Sequence, residues 1–179
     1  MVKTITVALI GNPNTGKSSI FNSLTGLKQK VANYPGVTVE KKTGFFNINR
    51  TTDVQLIDLP GSYGLNTKSI DQSIVFDLLL NKNNKDFPDL VVIISDVENL
   101  KRNLLLFTQI KDLEIPSILA INMSDQLKLK GIEIDIKKLE QKLDTKIVLI
   151  SAKKNEGFEE LKNVITNYRN LSNKPIFNI

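Results

Sequence analysis

Residues 11–18 read Gly-Asn-Pro-Asn-Thr-Gly-Lys-Ser, directly after the strand-like run 4–10 and directly before the helical pattern of residues 19–24. A glycine-rich loop between a strand and a helix can turn its backbone N–H groups inward at the helix N-terminus. Several such groups together can hold the crowded negative charge of a triphosphate without an opposing carboxylate. The spacing therefore predicts a phosphate-binding loop.

Individual positions of this loop have separate predicted roles. Gly11 and Gly16 permit close approach of the backbone, Lys17 reaches the β- and γ-phosphates, and Ser18 ligates Mg²⁺. The predicted nucleotide contacts of the loop are Gly11, Asn12, Pro13, Asn14, Thr15, Gly16, Lys17, Ser18 and Ser19.

Composition narrows the chemistry that the chain can carry out. Its 179 residues are 41% hydrophobic and 24% charged, which fits one globular domain. Cysteine and histidine are absent, so disulfides, thiolate nucleophiles, histidine bases and Cys/His zinc sites are excluded. Any metal must therefore be a hard cation bound through oxygen.

Charge and hydropathy predict where the chain works. Its longest apolar run, residues 90–94, falls far short of the ~20 residues of a membrane-spanning helix, and the N-terminus lacks a signal-peptide layout. We therefore expect a cytoplasmic chain. The net charge is +5, but the pairs of neighbouring lysine and arginine residues are scattered over separate segments, so we expect no nucleic-acid partner.

The hydrophobic pattern predicts an α/β fold with a six-stranded, mostly parallel sheet, one antiparallel edge strand and helices on both faces. Residues 27–38 are predicted to be a long loop, and a second loop covers residues 60–69. The predicted strands are 4–10, 39–48, 51–59, 89–95, 115–121 and 146–150, and the later helices are 70–81, 98–112, 136–143 (with Asp135 as N-cap) and 157–170.

The second motif is Asp58-Leu59-Pro60-Gly61, at the end of a predicted strand. Asp58 can hold hydrated Mg²⁺ opposite Ser18, and Gly61 leaves a backbone N–H free to meet a γ-phosphate. By itself Asp-x-Pro-Gly is a common turn sequence. Its place about forty residues after a phosphate-binding loop favours the catalytic interpretation.

The third motif is Asn122-Met123-Ser124-Asp125, also after a predicted strand. One carboxylate can accept hydrogen bonds from both N1–H and N2–H₂ of guanine, whereas adenine lacks that pair of donors. Asp125 would thus select GTP over ATP, although an Asx-type helix cap is the alternative.

A fourth motif, Ser151-Ala152-Lys153, follows the last predicted strand, where the Ala152 amide could approach the guanine oxygen. Gly11, Asp58, Asn122 and Ser151 all follow predicted strands. In parallel sheets these ends share one rim, which is where ligands bind.

The ordered motifs resemble those of the Ras-like guanine-nucleotide-binding domains over about residues 3–170. Residues 11–18, 33–42 (Asn-Tyr-Pro-Gly-Val-Thr-Val-Glu-Lys-Lys) and 58–63, together with Met123, are similar to the cytosolic G domain of the ferrous iron transport protein B family. This resemblance implies a GTP-binding domain over residues 1–170 followed by a tail at 171–179. It also implies that Thr38 closes on Mg²⁺ and the γ-phosphate.

The resemblance implies hydrolysis of GTP to GDP and phosphate, with Asn14, Lys17, Thr38 and Gly61 as the catalytic set. Ser62 stands where Ras itself has a water-orienting glutamine, so slow intrinsic turnover is expected. Asn14 is implied to ligate K⁺ beside the phosphates; the alternative is that it only occupies a left-handed turn.

The resemblance also implies partners outside this chain. They are a helical regulatory domain and membrane-spanning segments downstream in the parent transporter, whose Fe²⁺ uptake the G domain would gate at the cytoplasmic face of the bacterial inner membrane. Oligomers could form through that membrane part, and this chain would be an excised domain. The alternative is a free-standing GTPase switch acting on the ribosome or RNA.

Overall fold

The computed structural model describes residues 2–34, 37–65 and 70–176. Within those residues one sheet has the strand order β2-β3-β4-β1-β5-β6-β7. Its strands are β1 (Lys3–Gly11), β2 (Gln29–Asn33), β3 (Glu40–Asn49), β4 (Thr52–Asp58), β5 (Leu90–Asp96), β6 (Ser117–Asn122) and β7 (Lys146–Leu149).

Helices cover both faces of this sheet. They are α1 (Lys17–Thr25), α2 (Ile70–Leu80), α3 (Leu100–Lys111), α4 (Asp125–Leu129), α5 (Ile136–Leu143) and α6 (Phe158–Thr166), with a short 3-10 turn at Tyr168–Asn170. Across the described part of the chain, no helix combines the length and the apolar character that a membrane crossing requires.

Side chains of the central strand β1 point alternately to the two faces of the sheet, and each face is covered by its own set of helices. Ile5, Val7 and Leu9 of β1 pack into one buried cluster with side chains of α1 and α6. Ala8 and Ile10, which point the other way, belong to a second cluster with side chains of α2, α3 and α5. Both faces of β1 are therefore buried, as its continuous apolar sequence predicts.

Pairing within the sheet confirms the predicted α/β architecture. β1 pairs in parallel with β4 and β5, and β6 joins β5 and β7 in the same direction. β3 runs antiparallel to β4. The carboxyl ends of β1, β4, β6 and β7 therefore lie along one rim.

One prediction about the sheet was wrong in detail: among the described residues it has seven strands, and β3 is not the edge. Gln29–Asn33, predicted as part of a loop, pairs antiparallel with β3 as the outer strand. Four of its five residues are exposed, so no buried face imposes an apolar period on its sequence. Backbone hydrogen bonds hold it there.

Local helix signals had mixed success. The predicted N-cap is confirmed, because the Asp135 carboxylate accepts a 3.0 Å hydrogen bond from the Lys138 amide. Helix α4 went unpredicted, since it has five residues and buries none of them. Of the predicted loops, Pro35, Gly36 and residues 66–69 lie outside the described residues.

A buried lysine fastens the segment after α6. Lys111, at the end of α3, has no exposed surface, and its Nζ donates to the backbone carbonyls of Asp144, at 2.8 Å, and Ser172. Burial lowers the pKa of Lys111, because an ammonium group loses hydration there.

Candidate functional site

The loop at residues 11–18 requires glycine at two points. Gly16 has φ +81°, and a Cβ there would lie 2.2 Å from Nδ2 of Asn122. A Cβ on Gly11 would lie 2.6 Å from the carbonyl oxygen of Ile94 on β5. Side chains are thus excluded where the loop passes closest to neighbouring strands.

A cleft of about 390 Å³ opens over this loop at the N-terminus of α1. Asn14 and Ser18 are exposed there, and Asn14 adopts the left-handed conformation at φ 67°. We call this space the phosphate cleft; it is lined by Asn12, Pro13, Asn14, Gly16, Lys17, Ser18, Ser19 and Gly61.

The predicted cation and carboxylate meet beside the phosphate cleft. Lys17 Nζ forms an ion pair with Asp58 Oδ1, and only 12% and 10% of these side chains are exposed. Gly61 approaches from the segment after β4, where a Cβ would stand 3.5 Å from the carbonyl oxygen of Gly11. The structure therefore brings the loop and the Asp58–Gly61 motif together.

Ser62 is turned away from the phosphate cleft. Its amide donates to the Gly11 carbonyl at 3.1 Å, its hydroxyl donates to the Gly64 carbonyl, and it is 3% exposed. The neighbouring segment leans on α3, because the amide of Leu65 donates to Gln109 Oε1 at 2.9 Å. Ser62 consequently offers no group to a ligand in this conformation.

A second cleft of about 290 Å³ shares Gly16 and Ser19 with the first. We call it the base cleft; it is lined by Gly16, Ser19, Asn122, Met123, Asp125, Gln126, Ala152 and Lys153. Because two lining residues are common to both clefts, one elongated ligand can occupy them together.

Asn122 ties the walls of the two clefts together. Its Nδ2 donates to the Thr15 carbonyl at 2.9 Å, and its Oδ1 accepts from the Ala152 amide at 3.1 Å. The side chain is 3% exposed, so both bonds are largely shielded from water. The Ala152 amide, expected near a guanine oxygen, is thus bonded to Asn122 in this structure.

Asp125 is held at the base cleft by Ser151. The Ser151 hydroxyl donates to Asp125 Oδ1 at 2.8 Å and accepts from the Lys154 amide at 3.2 Å. Asp125 begins α4 but makes no side-chain cap there, because the N-cap residue is Ser124 and it also lacks a side-chain bond. The geometry therefore gives no support to the helix-cap alternative.

Thr38 is a predicted site residue that lines neither cleft. It is exposed, and its side chain makes no hydrogen bond to another described residue. Tyr34, four residues earlier, is buried, and its hydroxyl has no hydrogen-bond partner within the described residues. Burial raises the pKa of Tyr34, and the negative charges of Asp58 and Asp86 raise it further.

Sequence reasoning missed a polar cluster beneath the loop. Asn103 of α3 is 1% exposed and bonds both to Asn12 of the loop and to Asp96 at the end of β5. A signal was available: Asn103 shares the buried face of α3 with Leu106 and Ile110 at helical spacing. A polar residue on an apolar stripe needs a specific partner.

The chain was then compared with known proteins. A family model described as ferrous iron transport protein B matches residues 5–165. The chain is 40% identical over 165 residues to the Fe(2+) transporter FeoB of Leptospira biflexa, covering 92% of this chain and 23% of that protein. The corresponding transporter of Escherichia coli K12 is 41% identical over 174 residues, with coverages of 94% and 22%. The chain thus spans less than a quarter of these relatives.

Solved structures give the same result. The G domain of the T. maritima FeoB iron transporter matches with TM-score 0.84 and 42% identity, covering 93% of this chain and 99% of that one. The cytosolic domain of that transporter matches in a GDP form (TM-score 0.87, 42% identity, coverages 98% and 67%) and a GMPPNP form (0.83, 43%, 95% and 64%). These matches confirm the predicted P-loop GTPase fold.

Proposed function

The chain belongs to the ferrous iron transport protein B family, as residues 5–165 match its model, and from this premise we propose that it is a Mg²⁺-dependent, K⁺-stimulated GTP-hydrolysing switch domain. The observation that carries the proposal is the pair of clefts that share Gly16 and Ser19. One offers loop amides and a lysine for phosphates, and the other offers a carboxylate for a base. Relatives of the same family have been solved in GDP and GMPPNP forms.

Asp125 would make the site selective for guanine. Its Oδ1 is engaged by the Ser151 hydroxyl, which fixes the side chain at the base cleft. A carboxylate so held can accept from both N1–H and N2–H₂ of guanine. Adenine offers no such pair of donors, so a site built to receive them rejects it strongly.

The ion pair between Lys17 and Asp58 would open when GTP binds. Phosphate oxygens carry more charge than one carboxylate, so Lys17 would turn to the β- and γ-phosphates and release Asp58. Lys17 would then pair with phosphate and Asp58 would be free to hold Mg²⁺, so neither group would be left as an isolated buried charge.

The donor set left by that exchange fits Mg²⁺. Ser18 and Asp58 supply a hydroxyl and a carboxylate, and Thr38 would add a second hydroxyl once its segment closes on the phosphate cleft. Mg²⁺ is commonly held by one or two carboxylates, several waters and substrate phosphates. The described residues contain no cluster of three acidic or similar side chains placed to hold a metal alone. When bound, Mg²⁺ supplies neutralisation of charge on the β- and γ-oxygens.

Hydrolysis would proceed by in-line attack of water on the γ-phosphorus. Lys17 and the loop amides would stabilise the charge on the β–γ bridge, and the Gly61 amide would bind a γ-oxygen. Ser62 does not replace the missing glutamine, because its hydroxyl bonds to the Gly64 carbonyl. Slow intrinsic turnover is therefore expected.

Asn14 would hold K⁺ at the phosphate cleft. Its side chain is exposed there and makes no hydrogen bond to a described residue, so the amide oxygen is free to ligate a cation. A bound K⁺ would supply positive charge beside the phosphates. Its left-handed φ of 67° is also compatible with a purely conformational role, which the second experiment below separates.

The first experiment changes the base-recognising carboxylate. Asp125→Asn retains an oxygen for Ser151 and presents an NH₂ group to the base, which suits the O2 of xanthine. Losing two hydrogen bonds to a charged group should cost about 3 kcal/mol or more, a loss of about hundredfold or more in GDP affinity. Xanthosine diphosphate should bind the variant better than GDP. An unchanged preference for guanine would contradict the assignment, and exposed Asp112→Asn serves as control.

The second experiment tests the cation. GTP turnover is measured in KCl and in NaCl at equal ionic strength for the wild type, Asn14→Ala and Asn155→Ala. Asn155 is a matched control, because it is an exposed asparagine at φ 57° that does not line either cleft. Stimulation by K⁺ should vanish in Asn14→Ala alone. Equal rates in both salts, or a variant that keeps its full K⁺ response, would remove K⁺ from the proposal.

We propose that in the parent transporter this switch gates Fe²⁺ uptake at the cytoplasmic face of the inner membrane, through a helical regulatory domain and membrane segments. The segments around Thr38 and Gly61 would carry the nucleotide signal, as in other γ-phosphate switches. Lys17→Ala in the whole transporter should abolish Fe²⁺ uptake at unchanged protein level. Retained uptake would contradict gating by GTP.

A further inference from the structure

Three polar side chains beneath the phosphate cleft form one buried chain of hydrogen bonds. Asn12 Nδ2 donates to Asn103 Oδ1 at 2.6 Å, and Asn103 Nδ2 donates to Asp96 Oδ2 at 3.0 Å. The three residues are 2%, 1% and 5% exposed, respectively. Ser95 Oγ lies 3.2 Å from the same Asn103 nitrogen. Water cannot readily replace these bonds.

The carboxylate of Asp96 fixes which group donates and which accepts in this chain of hydrogen bonds. A carboxylate accepts hydrogen bonds and cannot donate them, so the NH₂ group of Asn103 must face it. Asp96 is itself immobilised, because its Oδ1 accepts from the amides of Glu98 and Asn99 at 3.0 and 2.8 Å and from Asn99 Nδ2 at 2.9 Å. Asn103 is therefore left with only its oxygen to offer Asn12.

This chain of hydrogen bonds ends in the backbone of the phosphate-binding loop. The Asn12 carbonyl accepts from the Thr15 hydroxyl at 2.8 Å and from the Thr15 amide at 3.4 Å, which closes the first turn of the loop. The Asn12 Oδ1 has no partner among the described residues, so the contact with Asn103 is the side chain's one hydrogen bond there. Removing that contact frees the residue from which the turn is built.

We propose that Asn103 is a positioning residue for nucleotide binding: through Asp96–Asn103–Asn12 it holds the loop in its phosphate-binding shape from outside the loop. Asn103 does not line either cleft and so does not touch the nucleotide. The inference rests on the proposed function, since it concerns the same phosphate cleft. Pre-organised amides bind an anion better than amides that must first be ordered.

A double-mutant cycle on GDP release tests this role. Release of fluorescent GDP is measured by stopped flow for the wild type, Asn103→Ala, Asn12→Ala and the double variant. Each single variant should release GDP about tenfold faster, and the double variant should be no faster than either, because both remove the same tether. Asn99→Ala is the control: it also loses a bond to Asp96, but it is exposed and does not contact the loop, so release should stay within about twofold.

A second variant covers the case in which Asn103→Ala fails to fold. Asn103→Leu keeps the branched shape on the buried face of α3 and adds no charge, but it removes both the donor to Asp96 and the acceptor for Asn12. It should accelerate release only when Asn12 is intact. Additive effects, or unchanged release in Asn103→Ala or Asn103→Leu, would overturn the inference. A wild type that binds no GDP would instead overturn the proposed function, so the two failures are distinguishable.

Discussion

Replacing Asn122 by alanine should uncouple the two clefts. The asparagine supplies a 2.9 Å bond to the Thr15 carbonyl and a 3.1 Å bond from the Ala152 amide. Thr15 is buried, so its carbonyl would be left without a partner at a cost of about 1–3 kcal/mol. The Ala152 amide is only half-buried, so losing its hydrogen bond costs about 1 kcal/mol.

Together these losses predict that Asn122→Ala lowers the free energy of unfolding by about 3 kcal/mol and the melting temperature by about 6–12 °C. The loop and the segment after β7 would also have to be ordered by the ligand. We expect that ordering to reduce GDP affinity by about thirtyfold, or about 2 kcal/mol.

Calorimetric titration with GDP and thermal melting measure the two effects on one sample. Asn167→Ala is a matched control, because that exposed asparagine, directly after α6, donates two side-chain hydrogen bonds, both to Asn163 of α6. It should change stability by less than about 0.5 kcal/mol. GDP affinity within twofold of the wild type would refute the view that Asn122 joins the clefts, even if the melting temperature falls.

Two further predictions concern buried titratable groups. Tyr34→Phe should leave the free energy of unfolding in urea unchanged or raise it by up to about 1 kcal/mol, because it removes a buried hydroxyl without a partner in the described residues. Exposed Tyr63→Phe is its control. A loss of stability in Tyr34→Phe that the control does not show would contradict the geometry. Burial lowers the pKa of Lys111, so between that lowered pKa and about 10.4 the unfolded chain binds more protons and stability rises with pH. Unfolding free energies measured from neutral pH up to about 10.4 should rise more steeply for the wild type than for Lys111→Met; parallel slopes over that whole range would contradict this.

Much of the fold was predictable because its signals are local. The apolar strand β5 is buried along its whole length, and the Asp135 cap is a contact three residues apart. Gln29–Asn33 could not be read this way, because an exposed edge strand is specified by its neighbour's backbone rather than by its own side chains.

The candidate site divides in the same manner. The loop and the Asp58 motif were placed by the shared rim of a parallel sheet, and the structure does pair Lys17 with Asp58. The bridging contacts of Asn122 join residues 107 and 30 positions apart, and that of Asn12 spans 91 positions. Such partners depend on how strands and helices pack, which periodicity alone does not determine.

Calorimetric titration of the wild-type chain with GDP and with ADP, in buffer containing Mg²⁺ and K⁺, tests the central claim most directly. The account predicts that GDP binds and that ADP binds at least about hundredfold more weakly, because adenine cannot satisfy Asp125. Equal affinities, or a preference for ADP, would contradict the assignment of the two clefts to a guanine nucleotide.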